Sequence, residues 1–350
     1  MEPVDPRDPR KPATLTEITP RAWRYVARRT IHEFIDDECV DTASALTFWG
    51  TLAVFPGLLA VTSLLALVGQ DGRAIRELLD LAQQVSPGPA LDVVAEPLRT
   101  FAGSRAAGLG FITGLALALW SASGYVAAFT RAMNRIYEVD EGRPFWKLRP
   151  YQLLITVVAI LLVTVVAVIL VVSGPVTDAL GSLLGLGESI RTVWDIAKWP
   201  LLALVVVLVV ALLYQATPNV RQPRFRWISL GALLAIALLL IASAGFALYV
   251  ANFSNYDRTY GSLAGVIVFL LWLWISNSAL LLGAEFNAEL ERVRQLQAGI
   301  PAEQRMNLPR RGTSRLRSAE EREWRDRRLG RAIRRRADAD AGSGDEDGSG

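Results

Sequence analysis

The sequence predicts an all-α polytopic membrane protein: six transmembrane helices, an outer helical hairpin and disordered termini. Three observations carry this reading. Six apolar runs reach the length, about 20 residues, that crosses a bilayer as a helix. Charge is segregated, nearly absent inside those runs and dense in arginine between and after them. The lysines and arginines of the connections alternate between rich and lean, as expected of a chain that crosses repeatedly with its basic loops in the cytoplasm.

Residues 1–20 hold five prolines among many charges and read as a disordered arm. Residues 21–40 read as an amphipathic cytoplasmic helix, with Trp23, Val26, Ile31, Phe34 and Ile35 set among Arg24, Arg28, Arg29 and Glu33. Such a helix either lies on an anionic membrane surface or packs against the end of the bundle. The acidic run Asp36, Asp37, Glu38 and Asp41 next to it either holds a metal or other cation or, the favoured reading, caps the start of the first span, where negative charge meets the positive end of a helix dipole.

The six spans lie at about 43–68, 106–130, 151–172, 196–217, 227–251 and 263–284. Pro56, followed by Gly57, should kink the first. In the second, Gly110, Gly114 and Ala118 recur every fourth residue, a smooth stripe for close helix contact, and Gly261 with Gly265 forms a second small-residue pair. The third span has no polar break but Thr164 and should face lipid. Between the first two spans, apolar residues at helical spacing on both sides of the Ser86-Pro87-Gly88-Pro89 break predict a helical hairpin over 72–103, a lid or a cap on the outer mouth.

Orientation follows from the flanks. Arg21, Arg24, Arg28 and Arg29 precede the first span; Arg131, Arg135, Arg143, Lys147 and Arg149 crowd the second connection; Arg221, Arg224 and Arg226 fill the fourth. The third and fifth connections hold only Arg191 with Lys198, and Arg258. Both termini therefore belong in the cytoplasm, which requires an even number of crossings. Beyond 296 the tail is predicted to be partly helical, over 314–336, and then disordered, with no cleavable leader visible at the other end.

The candidate cavity lining consists of Asn277, Ser278, Glu285 and Trp274 in the sixth span, Gln215 near the end of the fourth, Tyr249 in the fifth and Asn252 just beyond it. Asn277 and Glu285 are costly in contact with acyl chains, so their face should look at protein or at water. Asn277 as glue between helices and Glu285 among headgroups is the plainer alternative. Tyr249, Asn252, Tyr256, Asp257, Tyr260 and Ser262 form either a binding mouth or an interfacial aromatic belt.

The inventory of reactive groups is thin. One cysteine, Cys39, excludes an intrachain disulfide, and one histidine, His32, does not supply the ligand cluster of a zinc nuclease. No phosphate-binding loop or dinucleotide fingerprint is present. The reading is therefore of a chain that is not an enzyme, with no metal and no cofactor.

The stretch 260–292, YGSLAGVIVFLLWLWISNSALLLGAEFNAELER, resembles the last membrane helix of the YihY / virulence factor BrkB family, formerly labelled ribonuclease BN. TASALTFWGTLAVFPGLLAVTSLLAL at 42–67 resembles that family's first helix, and YQATPN at 214–219 its fourth-helix exit. The resemblance implies a multi-pass protein of the cell membrane without a settled activity. Two functions fit. One is handling of a lipid or other amphiphilic envelope molecule in a cavity among the first, second, fifth and sixth spans; the other is a non-catalytic envelope scaffold. A membrane-bound ribonuclease is a distant third. The partners admitted are the bilayer, an amphiphilic substrate and a second copy of the chain, with no nucleic acid.

Overall fold

The computed structural model describes residues 4–6, 8–68, 107–171, 187–221, 225–252 and 264–346. Among them the structure is all-α: α1 (Pro20–Asp36), α2 (Cys39–Val68), α3 (Ala107–Ile136), α4 (Phe145–Val171), α5 (Gly187–Ala216), α6 (Phe225–Asn252), α7 (Ala264–Gln297) and α8 (Ser314–Glu346). The only β pairing among the described residues is an isolated bridge between Val220 and Arg310.

Six long helices close into a ring. Each of α2 to α6 packs on the next, and α7 packs back on α2. Among the described residues four stretches meet the length and hydropathy needed to cross a bilayer: Phe145–Val166 of α4, Ile196–Ala216 of α5, Leu230–Tyr249 of α6 and Gly265–Gln297 of α7. Such helices gain little hydrophobic energy from one another in lipid, so contact must come from close packing. It does at Gly283, where an added Cβ would stand 2.5 Å from the Gly231 carbonyl oxygen and 2.7 Å from Ala235 Cβ. Gly124 likewise admits the Trp49 ring, which a Cβ would meet at 2.6 Å.

The segments before α1 and after α7 gather at one end of the ring. Thr19 caps α1, its hydroxyl accepting from Ala22 N at 3.3 Å, and Pro20 occupies the first turn, where its missing N–H leaves no bond unmade. Val26 is buried with Leu290 and Val293 of α7, and Trp23 stacks on Phe286 at 6.3 Å. After α7, residues 298–313 form a strap across the ends of α3, α4 and α5. Arg311 donates to the carbonyls of Gln215, Ala216 and Val220, and Asn219 bonds Gly312 in both directions.

Several expectations change. The arm before α1 is not a loose tail: Lys11 is buried with its ammonium 2.8 Å from Glu291, Arg294 donates to the Pro12 carbonyl, and Val4 N reaches Asn307 O at 3.3 Å. Proline excludes regular structure here but not packing, and the partner of Lys11 lies 280 residues away. The sixth span does not end at 284. Its helix runs on to Gln297, because the charges that follow Glu285 are paired. The tail helix α8 continues past 336 to Glu346. Gly265 has nothing within 4 Å of an added Cβ, so it packs on no described part of this chain. Helix α2 runs through Pro56, whose surroundings lie outside the described residues. Gly110, Gly114 and Ala118 lie on α3, but their surroundings, like Gly261 and the hairpin over 72–103, fall outside the described residues.

Candidate functional site: a polar closure at one end of the helix ring

The packed half of the ring is closed by a polar and aromatic layer. Asn277 is 1% exposed. Its Oδ1 accepts from the Tyr125 hydroxyl at 2.8 Å, and its Nδ2 donates to Thr47 Oγ1 at 3.1 Å, joining α7 to α3 and α2. Thr47 in turn donates to the Ala43 carbonyl of its own helix. Phe129 lies beneath Tyr125, with ring centroids 6.2 Å apart, and stacks at 6.2 Å on Tyr214 from α5. Tyr214 donates to the Leu280 carbonyl, so α3, α5 and α7 meet across the centre.

Below this layer Glu285 is 1% exposed and accepts from the Cys39 thiol at 3.5 Å. Asp37, at the end of α1, is near enough for the two carboxyls to influence one another. Burial and the neighbouring Glu33 raise the Asp37 carboxyl above its ordinary pKa. One turn on, Glu289 pairs with Arg292 and with Arg29 of α1, at 2.9 and 3.2 Å. Arg292 also reaches Glu138 at 2.6 Å and the Ala302 carbonyl at 3.0 Å. Glu138 takes a left-handed conformation, φ 52–53° being shared only with Glu38 among the described non-glycine residues, and it ends α3. A non-glycine residue there costs about 1–2 kcal/mol. The ion pair to Arg292 and a bond from Met306 N hold it in place. Outside this network, burial opposes the charge of Glu141, but hydrogen bonds from Arg143 and Asn134 outweigh it and lower its pKa.

Away from the closure, several described positions on these helices are exposed. On a helix, positions seven or eleven residues apart share a face. Thr156 is buried, yet Val163, two turns along the same face of α4, is 50% exposed. Tyr214 is buried, yet Ala203 on its face of α5 is exposed. Asn277 is buried, yet Val266 on its face of α7 is 49% exposed. Val163, Ala203 and Val266 are thus exposed on faces that Thr156, Tyr214 and Asn277 bury further along the same helices. Trp272 donates to Ser243 at 3.1 Å and keeps α6 and α7 bridged there.

The seven residues expected to line a cavity do not form one set. Asn277 and Glu285 lie in the closure. Ser278 returns its hydroxyl to the Trp274 carbonyl, and Trp274 donates to the Val40 carbonyl at 3.4 Å. Gln215 contributes its carbonyl to the strap. Tyr249 is 44% exposed and stacks on Phe246, far from Asn277 along α6 and α7. Asn252 ends α6, and its side chain lies outside the described residues. Missed from sequence were Thr47, Tyr125, Tyr214 and the Arg292–Glu138 pair. An acidic and basic run on the helix after Glu285 was the one available signal for the last. Among the described residues no three His, Cys, Asp or Glu side chains are grouped to hold a metal.

A closed ring of long apolar helices, tied at one end by a buried polar layer, is the build of an integral membrane protein. The chain belongs to the Virulence factor BrkB family, whose sequence profile matches residues 30–307, from α1 through the ring and into the strap. It is 31% identical over 270 residues to the putative ribonuclease-like protein YfkH of Bacillus subtilis, covering 77% of this chain and 94% of that one. It is 35% identical over 268 residues to a UPF0761 membrane protein of Alkalilimnicola ehrlichii, covering 76% of this chain and 57% of the relative. A UPF0761 membrane protein of Halorhodospira halophila is 28% identical over 278 residues, with 79% and 60% covered. The chain thus spans somewhat over half of these two longer relatives. No solved structure matches it.

Proposed function

We propose that this chain is a six-crossing protein of the cell membrane, with both termini in the cytoplasm, that admits a lipid or other amphiphilic envelope molecule into a chamber of its ring beside the closure. The Asn277–Tyr125–Thr47 layer is the floor of that chamber, and Glu285 with Asp37 and Cys39 backs the floor on the cytoplasmic side. Tyr249 stands toward the rim. The observation that supports the reading is the exposure of Val163, Ala203 and Val266 on the helix faces that carry the buried Thr156, Tyr214 and Asn277, which leaves apolar surface beside the closure. An acyl chain is the chemical partner of such a surface. The gathering of the segments before α1 and after α7 on one side supports an even number of crossings, and the arginines there support a cytoplasmic side.

A scaffold is the second reading, supported by the hydrogen bonds that already satisfy Asn277 within the closure. A ribonuclease has the printed name of YfkH in its favour and little in the side chains: His32, the single histidine, is exposed on α1 and 3.7 Å from Asp36.

The test uses the full chain in vesicles containing a phospholipid with a photoreactive diazirine on its acyl chain. Adducts at Val163, Ala203 and Val266, besides those on outward residues such as Leu161, are expected. Labelling of Leu161 with Val163, Ala203 and Val266 all clean would overturn the chamber and leave the scaffold.

A further inference from the structure

Helix α1 has two faces with opposite fates. Val26 and Thr30 are buried toward α7. The opposite face carries Arg21, Arg24, Arg28, Ile31 and Ile35, all exposed. Arg29, one position aside, is paired with Glu33 and Glu289, but Arg21, Arg24 and Arg28 have no anionic partner among the described residues. They border a groove of about 720 Å³ together with Tyr25 and His32.

The apolar end of this face leads to the bilayer. Ile31 and Ile35 are 61% and 64% exposed, and Val40 and Phe48 are exposed near the start of α2, with the carboxylates of Asp36, Glu38 and Asp41 exposed beside them. At the same end of the ring, Phe145 and Trp146 are exposed at the start of α4, as aromatic side chains are at a membrane–water boundary. Arg28 is one turn from Ile31 and Arg21 less than two turns further, so along the helix the three arginines start within about 15 Å of Ile31, and their long side chains shorten that distance. That is the reach of a headgroup above its acyl chains.

We propose that this face of α1 is a binding site for an anionic phospholipid of the leaflet at the terminal end, with the phosphate held by Arg21, Arg24 and Arg28 and the acyl chains lying on Ile31, Ile35 and Val40. Arginine suits the role because its planar fork grips phosphate oxygens in pairs and never loses its charge. The site is on the outside of the ring and does not depend on the chamber.

The probe is dioctanoyl phosphatidylglycerol, titrated against the full chain in neutral detergent and read by native mass spectrometry, with dioctanoyl phosphatidylcholine in parallel. The wild type should prefer the anionic lipid. Each arginine near a membrane surface adds about a fivefold factor, so R21Q/R24Q/R28Q should lose about a hundredfold of that preference. I31N/I35N should weaken both lipids alike, and R315Q/R317Q on exposed α8 should change nothing. A triple variant that melts like wild type and still prefers phosphatidylglycerol would overturn the site. So would inorganic phosphate displacing the lipid at equal concentration, which would make it a site for soluble phosphate, or full binding by the isoleucine variant.

Discussion

Replacing Asn277 with alanine orphans its two partners unequally. Thr47 keeps its donor bond to the Ala43 carbonyl and loses only an incoming bond. The Tyr125 hydroxyl loses its acceptor inside a packed layer. A side-chain hydrogen bond between membrane helices is worth about 0.6 kcal/mol on average, and an unsatisfied buried hydroxyl costs about 1–3 kcal/mol more. Asn277→Ala should therefore destabilise by about 2–4 kcal/mol. Tyr125→Phe removes a donor but leaves Asn277 its bond to Thr47, and should cost about 1 kcal/mol. The double variant has no stranded hydroxyl, so it should be about 1–2 kcal/mol more stable than the sum of the singles. Reversible unfolding in mixed micelles, followed by tryptophan fluorescence, measures all four corners of the cycle. Additivity within about 0.5 kcal/mol would refute the closure as a coupled layer.

Gly283→Val should break the α6–α7 contact, because the neighbour it strikes is the Gly231 backbone; it should fail to yield folded protein where Gly265→Val, facing open space, melts within about 0.5 kcal/mol of wild type. Glu291→Leu removes the carboxylate that buried Lys11 and Arg294 share and should cost about 3–5 kcal/mol, whereas Lys11→Met should cost clearly less, since Arg294 still neutralises Glu291; equal melting shifts would contradict the pairing. Glu141 has a lowered folded-state pKa, so its contribution to stability is full above the ordinary value of 4.5 and is lost as pH falls through the lowered one. Amide-exchange protection of the α3–α4 connection should drop in that acid window, and Glu141→Gln should abolish the pH dependence without restoring the protection.

Some of this was readable in the chain without coordinates. Apolar runs and segregated arginines are local properties, and they determined the all-helical membrane class and the approximate place of each long helix. The motifs around Asn277 determined the family. The cost of a polar group in lipid was also enough to put Asn277 and Glu285 on a face of α7 that is buried.

Tertiary structure alone decided what those residues meet. Tyr125 precedes Asn277 by 152 positions and Lys11 precedes Glu291 by 280, so neither pairing leaves a trace in local periodicity. The same applies to the glycines. Gly261 and Gly265 have the spacing of a contact motif, whereas Gly231 and Gly283 stand on different helices and become a pair only where α6 crosses α7. A hydropathy reading ends a span where charge begins, but α7 continues because Glu289 and Arg292 neutralise one another and Glu138 and Arg29 join them. Helical spacing and transfer cost are summed along one segment of chain; closure of the ring depends on energies between segments.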